Sequence, residues 1–374
     1  MYQKGRAWIE LNLNNLSYNV TQFQKLLSAS CTLMPAVKAN AYGHGAPVIA
    51  RELENMGITD FCVASAGEGI ELRNAGITGQ ILVLGYTSPR QFSELSRYRL
   101  TQTIVDFDYA KQLSESDGQY DVHVGIDTGM HRLGERSGDI KTLRKIWNFS
   151  NLHITGVFSH LCTADGASAP EKEFALKQIA AFDESVAALK RHGCTGFKTH
   201  IQGSYGALNY PELNYDFARI GIALYGAFCS PSDETKADIR LRPVLSLKSR
   251  IECVKELYPG ESIGYGLTFT AAKEMKTAAV SIGYADGIPR ELSNRGFALV
   301  NGKRAPMIGR VCMDQLLLDV SELSHVAAGD EVVFIGKSGE NEIAASEVAA
   351  SANTISNEIL SRLGTRLERI LVLG

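Results

Sequence analysis

The sequence predicts an α/β protein, an N-terminal (β/α)8 barrel followed by a mainly β domain. Two observations predict it. From about residue 30 to 225, eight strand-like runs alternate with helix-like runs, the pattern of a parallel sheet covered by helices. Beyond about residue 240, short runs rich in Val, Ile and Leu are broken by Gly, Pro and Asn, which reads as β structure. An open doubly wound sheet is the alternative for the first part, but no early G-x-G-x-x-G turn supports it.

The expected barrel strands are 32–38, 60–64, 80–85, 101–105, 120–126, 152–159, 197–202 and 218–224. Helical patterns fall between them at 66–75, 88–97, 107–115, 140–147 and 171–192. Pro47 opens another, with Val48, Ile49, Leu53 and Met56 on roughly one side. In the second part, strands are expected at 244–256, 277–283, 297–301, 305–318 and 331–336, then a helix at 344–362 and a last strand around Arg369–Val372. These runs divide the chain into a barrel at 12–240 and a β domain at 241–374, which the first strand, within 1–11, can join.

A length of 374 residues suits a barrel plus a smaller unit, and 45% apolar residues suffice for a large core. The net charge of −3 argues against a nucleic-acid or anionic-membrane surface. No run of 18 apolar residues exists, and Met1–Arg6 leads into no signal core. Seven scattered cysteines without a C-x-x-C pair point to a reducing compartment and no structural metal. A cytoplasmic location is therefore expected.

The most informative run is AVKANAYGHG, residues 36–45. Lys38 follows the apolar stretch Leu33–Val37, at the end of a barrel strand where such enzymes place chemistry. Lysine forms Schiff bases, but a strand-end lysine also commonly just snorkels to solvent. The motif as a whole closely resembles the cofactor-lysine motif of the alanine racemases. The resemblance runs from Arg6–Leu11 to the last strand near Leu371. It implies a barrel that binds pyridoxal 5′-phosphate (PLP) through Lys38, followed by a β domain.

The resemblance implies further roles. Tyr42, Ser204, Gly221 and Ile222 match the segments that hold the cofactor phosphate. Arg219 matches the arginine that donates to the pyridine nitrogen, and His200 the histidine that orients it. Arginine keeps its proton in a protein, so the ring stays a weak electron sink, which suits proton transfer with few side reactions. Barrel-type PLP decarboxylases, the alternative class, carry a carboxylate there. On the residues alone, a Gly-Ser turn is usually only a turn, and a strand-end arginine is as often salt-bridged.

Racemisation needs proton-transfer groups on opposite faces of the substrate. Lys38 serves one face. Tyr265, in Ser262–Gly266, matches the second catalytic group, and His160 a histidine beside that phenol. The family's tyrosine reaches the lysine of the other subunit, so the resemblance implies a homodimer with shared active sites. Arg132, Tyr284, Met313 and Asp314 match residues of the substrate site and its entryway.

Two departures stand out. Gly125 occupies a position where many members carry a carbamylated lysine that braces the arginine matching Arg132. Another anion, chloride or a nearby carboxylate, is expected to compensate for a buried guanidinium there. Asn357 stands where alanine racemases usually have a tyrosine that crowds the substrate methyl. Asparagine leaves space and adds a donor and an acceptor, so serine is expected as a substrate beside alanine. Within the family the chain looks most like the serine/alanine racemase domains of glycopeptide-resistance systems. That likeness implies D-amino acids for cell-wall precursors, antibiotic resistance, and the cytoplasmic part of a longer membrane-anchored protein as an alternative setting.

Overall fold

Eight parallel strands close into a ring around a buried interior. They are Thr32–Leu33, Asp60–Val63, Gln80–Val83, Thr101–Ile104, Tyr120–Asp127, Leu152–Phe158, Lys198–His200 and Phe217–Ala218. The first reaches the second through a bridge between Ala36 and Cys62. The last pairs in parallel with the first, Phe217 opposite Thr32. The Asp216 and Arg219 N–H groups donate to Thr199 and Gln202 at 2.9 Å, which joins the last two strands. This computed structural model describes residues 5–372; Met1–Lys4, read above as leading into no signal core, and the last two residues lie outside it.

Helix Leu13–Leu26, which no sequence pattern flagged, enters the barrel layer behind Asn12. The Asn12 side chain accepts from the Asn15 N–H at 3.0 Å, an N-cap. The helix buries Leu16, Asn19, Val20 and Phe23, one stripe at helical spacing. Full burial of each apolar member is worth ~1.5–3 kcal/mol. Helix Ala46–Asn55 buries Ala46, Ile49, Ala50 and Leu53, whereas Val48 is 38% exposed, so the expected apolar side is displaced by part of a turn.

The second part is also a closed ring, now antiparallel. Leu245–Leu257 pairs with both Met275–Val280 and Glu331–Ser338, and Phe297–Val300, Lys303–Ile308 and Leu316–Asp319 complete the circuit. Leu245, Leu247, Ser249 and Ile251 alternate inward, as period-2 patterning requires. Strand Ala7–Asn12 pairs with this sheet and with Glu368–Val372, so the chain start belongs structurally with its end.

Several elements differ from expectation. The run 305–318 is two strands, because the loop from Gly309 to Gln315 turns out between them and carries Met313. The helix at 344–362 is two helices, Ala345–Ser351 and Ser356–Ser361, broken near Asn353, whose φ is +54°. The strand at 218–224 stops at Ala218, and a 3-10 turn follows at Ile222–Tyr225. The strand at 32–38 ends at Leu33, apart from the bridge at Ala36, and Lys38 begins a tight turn.

Candidate active site

That turn is left-handed. Ala39, Asn40, Ala41 and Tyr42 all have φ between 51° and 54°. Left-handed helical backbone costs L-residues about 1–2 kcal/mol each, so the surroundings must over-determine it. They do. Glu68 accepts from the Ala39 N–H with one oxygen and the Ala64 N–H with the other, both at 2.7 Å. The Asn40 side chain accepts from the Ala46 N–H at 2.7 Å. Buried His44 donates from Nδ1 to the carbonyls of Ala41 and Tyr42 at 2.9 Å. Arg369, from the last strand, donates to the Gly43 carbonyl at 3.0 and 2.8 Å. The two halves of the chain thus clamp the segment that presents Lys38.

Lys38 lines a cavity of about 650 Å³ at the C-terminal end of the barrel strands. Tyr42, Arg132, His160, Ser204, Arg219, Gly221, Ile222 and Asn357 line the same cavity. The Ser204 hydroxyl accepts from the N–H groups of Gly221 (3.0 Å) and Ala223 (3.3 Å). A Cβ built on Gly221 would stand 2.4 Å from Tyr42 Oη, so only glycine leaves room for the phenol. Hydroxyl, phenol and backbone N–H groups converge there on one small volume, a donor set suited to a phosphate.

Arg219 is buried, 5% exposed, above the barrel interior. Nη1 donates to His200 Nδ1, and Nη2 to the carbonyls of Ser159 (2.7 Å) and Ile201 (3.3 Å), with His160 Nδ1 at 3.2 Å. Burial pulls its pKa down only to about 10, so the guanidinium stays charged at neutral pH. The same burial, with Arg219 close by, pulls His160 down to about 3 and leaves it a neutral ring. His200 sits behind Arg219 and does not line the cavity.

Tyr265, Tyr284 and Met313 do not line this cavity. They stand on the β domain, 70%, 42% and 52% exposed. Their loops are stitched together: the Tyr284 and Ala285 N–H groups donate to the carbonyls of Cys312 and Met313. Buried Asp286 anchors the group through Arg6 at 2.6 Å, and Arg366 donates to Asp314 at 2.7 Å. Gly266 packs against the Arg310 guanidinium, which fixes the Tyr265 turn to the same face.

The premise about Arg132 needs correction. Arg132 is exposed rather than buried, and forms no ion pair with the described residues, so no carboxylate among them fills the expected role. Asp127, which lines the cavity beside it, is committed to His131 and to the Gly129 and His131 N–H groups. The room beside Gly125 is taken by Gly134, whose Cα lies 3.3 Å from where a Cβ would be built. Asn357 is half-buried, with its side-chain oxygen 3.0 Å from the Cys229 thiol, so it is not a free surface residue.

The alanine racemase N-terminal domain model matches residues 11–228, and the C-terminal domain model residues 244–371. The chain belongs to the alanine racemase family. An amino-acid racemase of Enterococcus faecalis is 41% identical over 98% of this chain and 51% of its own length. A serine/alanine racemase of Enterococcus gallinarum is 41% identical over 97% of the chain and 51% of its own length. The chain thus spans about half the length of these curated relatives. The solved alanine racemase of Clostridium difficile 630 superposes with a TM-score of 0.92 at 33% identity, covering 100% of this chain and 97% of that one. That of Bartonella henselae, with covalently bound pyridoxal phosphate, gives 0.85 at 26% identity over 98% and 100%. PLP is the cofactor of the family, and the lysine, phosphate cradle and buried arginine of this chain fit it. Glu68, Arg369 and Asp286 escaped the sequence reading, because an acidic or basic residue in a helix or loop carries no local signal of what it clamps.

Proposed function

We propose that this chain racemises alanine and serine as a homodimer with two shared active sites. The observation that carries the reading is the division of the site: Lys38 lines the cavity, while Tyr265 stands 70% exposed outside it. A second copy can bring its Tyr265, Tyr284 and Met313 to the open mouth. PLP, when bound, draws electrons from the substrate α-carbon and lets its proton leave. The protein then handles protons and charge. Lys38 Nζ exchanges a proton on one face, and the partner subunit's Tyr265 on the other. Ser204, Tyr42, Gly221 and Ile222 hold the phosphate. Arg219 donates a hydrogen bond to the ring nitrogen without surrendering its proton, which restrains electron withdrawal and disfavours decarboxylation. Arg132 faces the substrate carboxylate.

Asn357 supports serine as a substrate, since it lines the cavity with a polar amide where the family's usual tyrosine would fill space. Incubation of L-alanine and L-serine in deuterated buffer is expected to give α-deuterated D-isomers of both; an amine product would indicate a decarboxylase instead. Asn357→Tyr is expected to lower the ratio of kcat/KM for serine over alanine by about tenfold. An unchanged or higher ratio sinks the assignment of Asn357. The D-isomers would serve cell-wall precursors, and in that role this chain restores growth of a D-alanine-requiring bacterium; failure of an expressed, active enzyme to do so counts against it. Among the described residues no helix is long and apolar enough to cross a membrane. Action on the cytoplasmic side, alone or within a longer anchored protein, would be overturned by recovery of the native protein from an extracytoplasmic fraction.

The guanidinium of Arg132, which forms no ion pair with the described residues, is proposed to take a chloride ion beside the substrate. At constant ionic strength, KM for alanine is expected to be about threefold lower in chloride than in gluconate, the scale of one exposed ion contact. Equal KM values in the two salts would remove the anion from the account.

A further inference from the structure

Behind Arg219, on the side away from the cavity, the barrel interior holds a row of polar groups with no part in the chemistry above. His200 Nε2 lies 2.8 Å from His123 Nδ1. His123 Nε2 lies 3.3 Å from the Gln80 side-chain nitrogen, which itself sits 3.2 Å from Thr101 Oγ1. Both rings are fully buried. The row is built in: parallel pairing sets His123 opposite Gly156, and a Cβ there would come within 2.5 Å of the His123 ring. Phe158 stacks on His200 at 4.9 Å, and Phe217 packs against both histidines.

The row has one consistent polarity. Arg219 can only donate, so His200 Nδ1 must accept. A neutral His200 then carries its proton on Nε2 and donates to His123 Nδ1. His123 must in turn carry its proton on Nε2, which needs an acceptor. Gln80 supplies one when its amide is turned end for end, a rotation of the same shape that brings the oxygen to the ring in place of the nitrogen and lets Thr101 donate to that oxygen. Burial and the Arg219 charge hold both rings neutral, His123 at about 3 and His200 well below its ordinary value. A carboxylate in place of Gln80 would favour an imidazolium; an amide accepts the proton's hydrogen bond and adds no charge.

We propose that Gln80 and His123 are positioning residues for Arg219, forming with His200 a one-way hydrogen-bond relay that fixes the guanidinium as a donor toward the cofactor ring. The proposal rests on the reading of Arg219 as the partner of the PLP ring nitrogen. The relay explains why a strand far from the phosphate cradle contributes a glutamine to the barrel interior. It also gives Gly156 a reason to lack a side chain.

The test is 15N NMR of the histidine-labelled holoenzyme. His123 and His200 are both expected as neutral rings protonated on Nε2. In Gln80→Leu the His123 Nε2–H loses its acceptor, so the His123 ring should no longer hold a single tautomer, while His200, still facing Arg219, keeps its proton on Nε2. The bound cofactor's absorbance should shift, and kcat should fall roughly tenfold with little change in KM, the lower end for loss of an outer hydrogen-bond partner. Gln80→Glu keeps an acceptor but adds a negative charge, so His123 should keep its Nε2 proton and shift toward the doubly protonated ring. A proton on Nδ1 of His200 in the wild-type enzyme overturns the relay, and that measurement needs no variant to fold. A wild-type His123 tautomer and unshifted absorbance in folded Gln80→Leu also overturn it. The tautomers are read without turnover, so an error in the assigned reaction would show separately, as absent racemisation with the relay intact.

Discussion

Lys38→Ala is expected to abolish racemisation in both directions, with a loss in kcat of at least about 10⁴-fold. In the proposed mechanism the lysine both anchors the cofactor and exchanges a proton, and acid–base assistance alone commonly contributes up to about 10⁴-fold. The variant should also lose the visible absorbance of the lysine-bound cofactor. The fold should survive, because the left-handed backbone begins at Ala39 and its hydrogen bonds to Glu68, Asn40, His44 and Arg369 do not use the Lys38 side chain. Circular dichroism checks that point. Reduction of the wild-type holoenzyme with borohydride, followed by peptide mapping, should place the label on Lys38. A label on another lysine would falsify the assignment.

Mixing Lys38→Ala with Tyr265→Phe is expected to restore activity that neither variant has alone. With the sites shared as proposed, both sites of each pure homodimer lack one proton-transfer group. A hybrid dimer has one site that lacks both groups and one that is wholly wild type. Random exchange of equal amounts makes half the dimers hybrid, each with one good site, so roughly a quarter of wild-type activity should return. If each chain instead completed its own site, every site in the hybrid would stay broken and nothing would return. Differently tagged subunits confirm that hybrids form; inactive hybrids would remove Tyr265 of the partner subunit from the site. The structural ground for the prediction is the exposure of Tyr265, Tyr284 and Met313 on one stitched face of the β domain, away from the chain's own cavity.

The cavity gathers residues 36 to 357 of the chain, yet many of its members could be read in sequence. Those that could sit in contiguous runs whose backbone demands are local. Asn40, Gly43 and Gly45 share one run with Lys38 because the left-handed turn needs them at fixed offsets. Gly221 had to be glycine because the Tyr42 phenol occupies its Cβ space. The residues that escaped notice act across the fold. Glu68 bridges the N–H groups of Ala39 and Ala64, and Arg369 reaches back to Gly43 from the far end of the chain. The expectation of a buried Arg132 failed for a similar reason. Burial depends on what packs against a loop, and Gly134, not a side chain at Gly125, fills the space there.

By itself the sequence determined the alternation of strands and helices, the change to β structure after about residue 240, and which runs, those of Lys38, Ser204 and Gly221, meet at one cavity. Side-chain periodicity and turn chemistry are properties of neighbouring residues, so a linear reading reaches them. Only the tertiary structure decided that both sheets close into rings, and that Tyr265 lies outside its own chain's cavity. It alone lined up Gln80, His123, His200 and Arg219 inside the barrel. Those four side chains come from or just beyond four different strands, and only ring closure and parallel register bring their inward faces together. Nothing local at any of the four positions records that meeting.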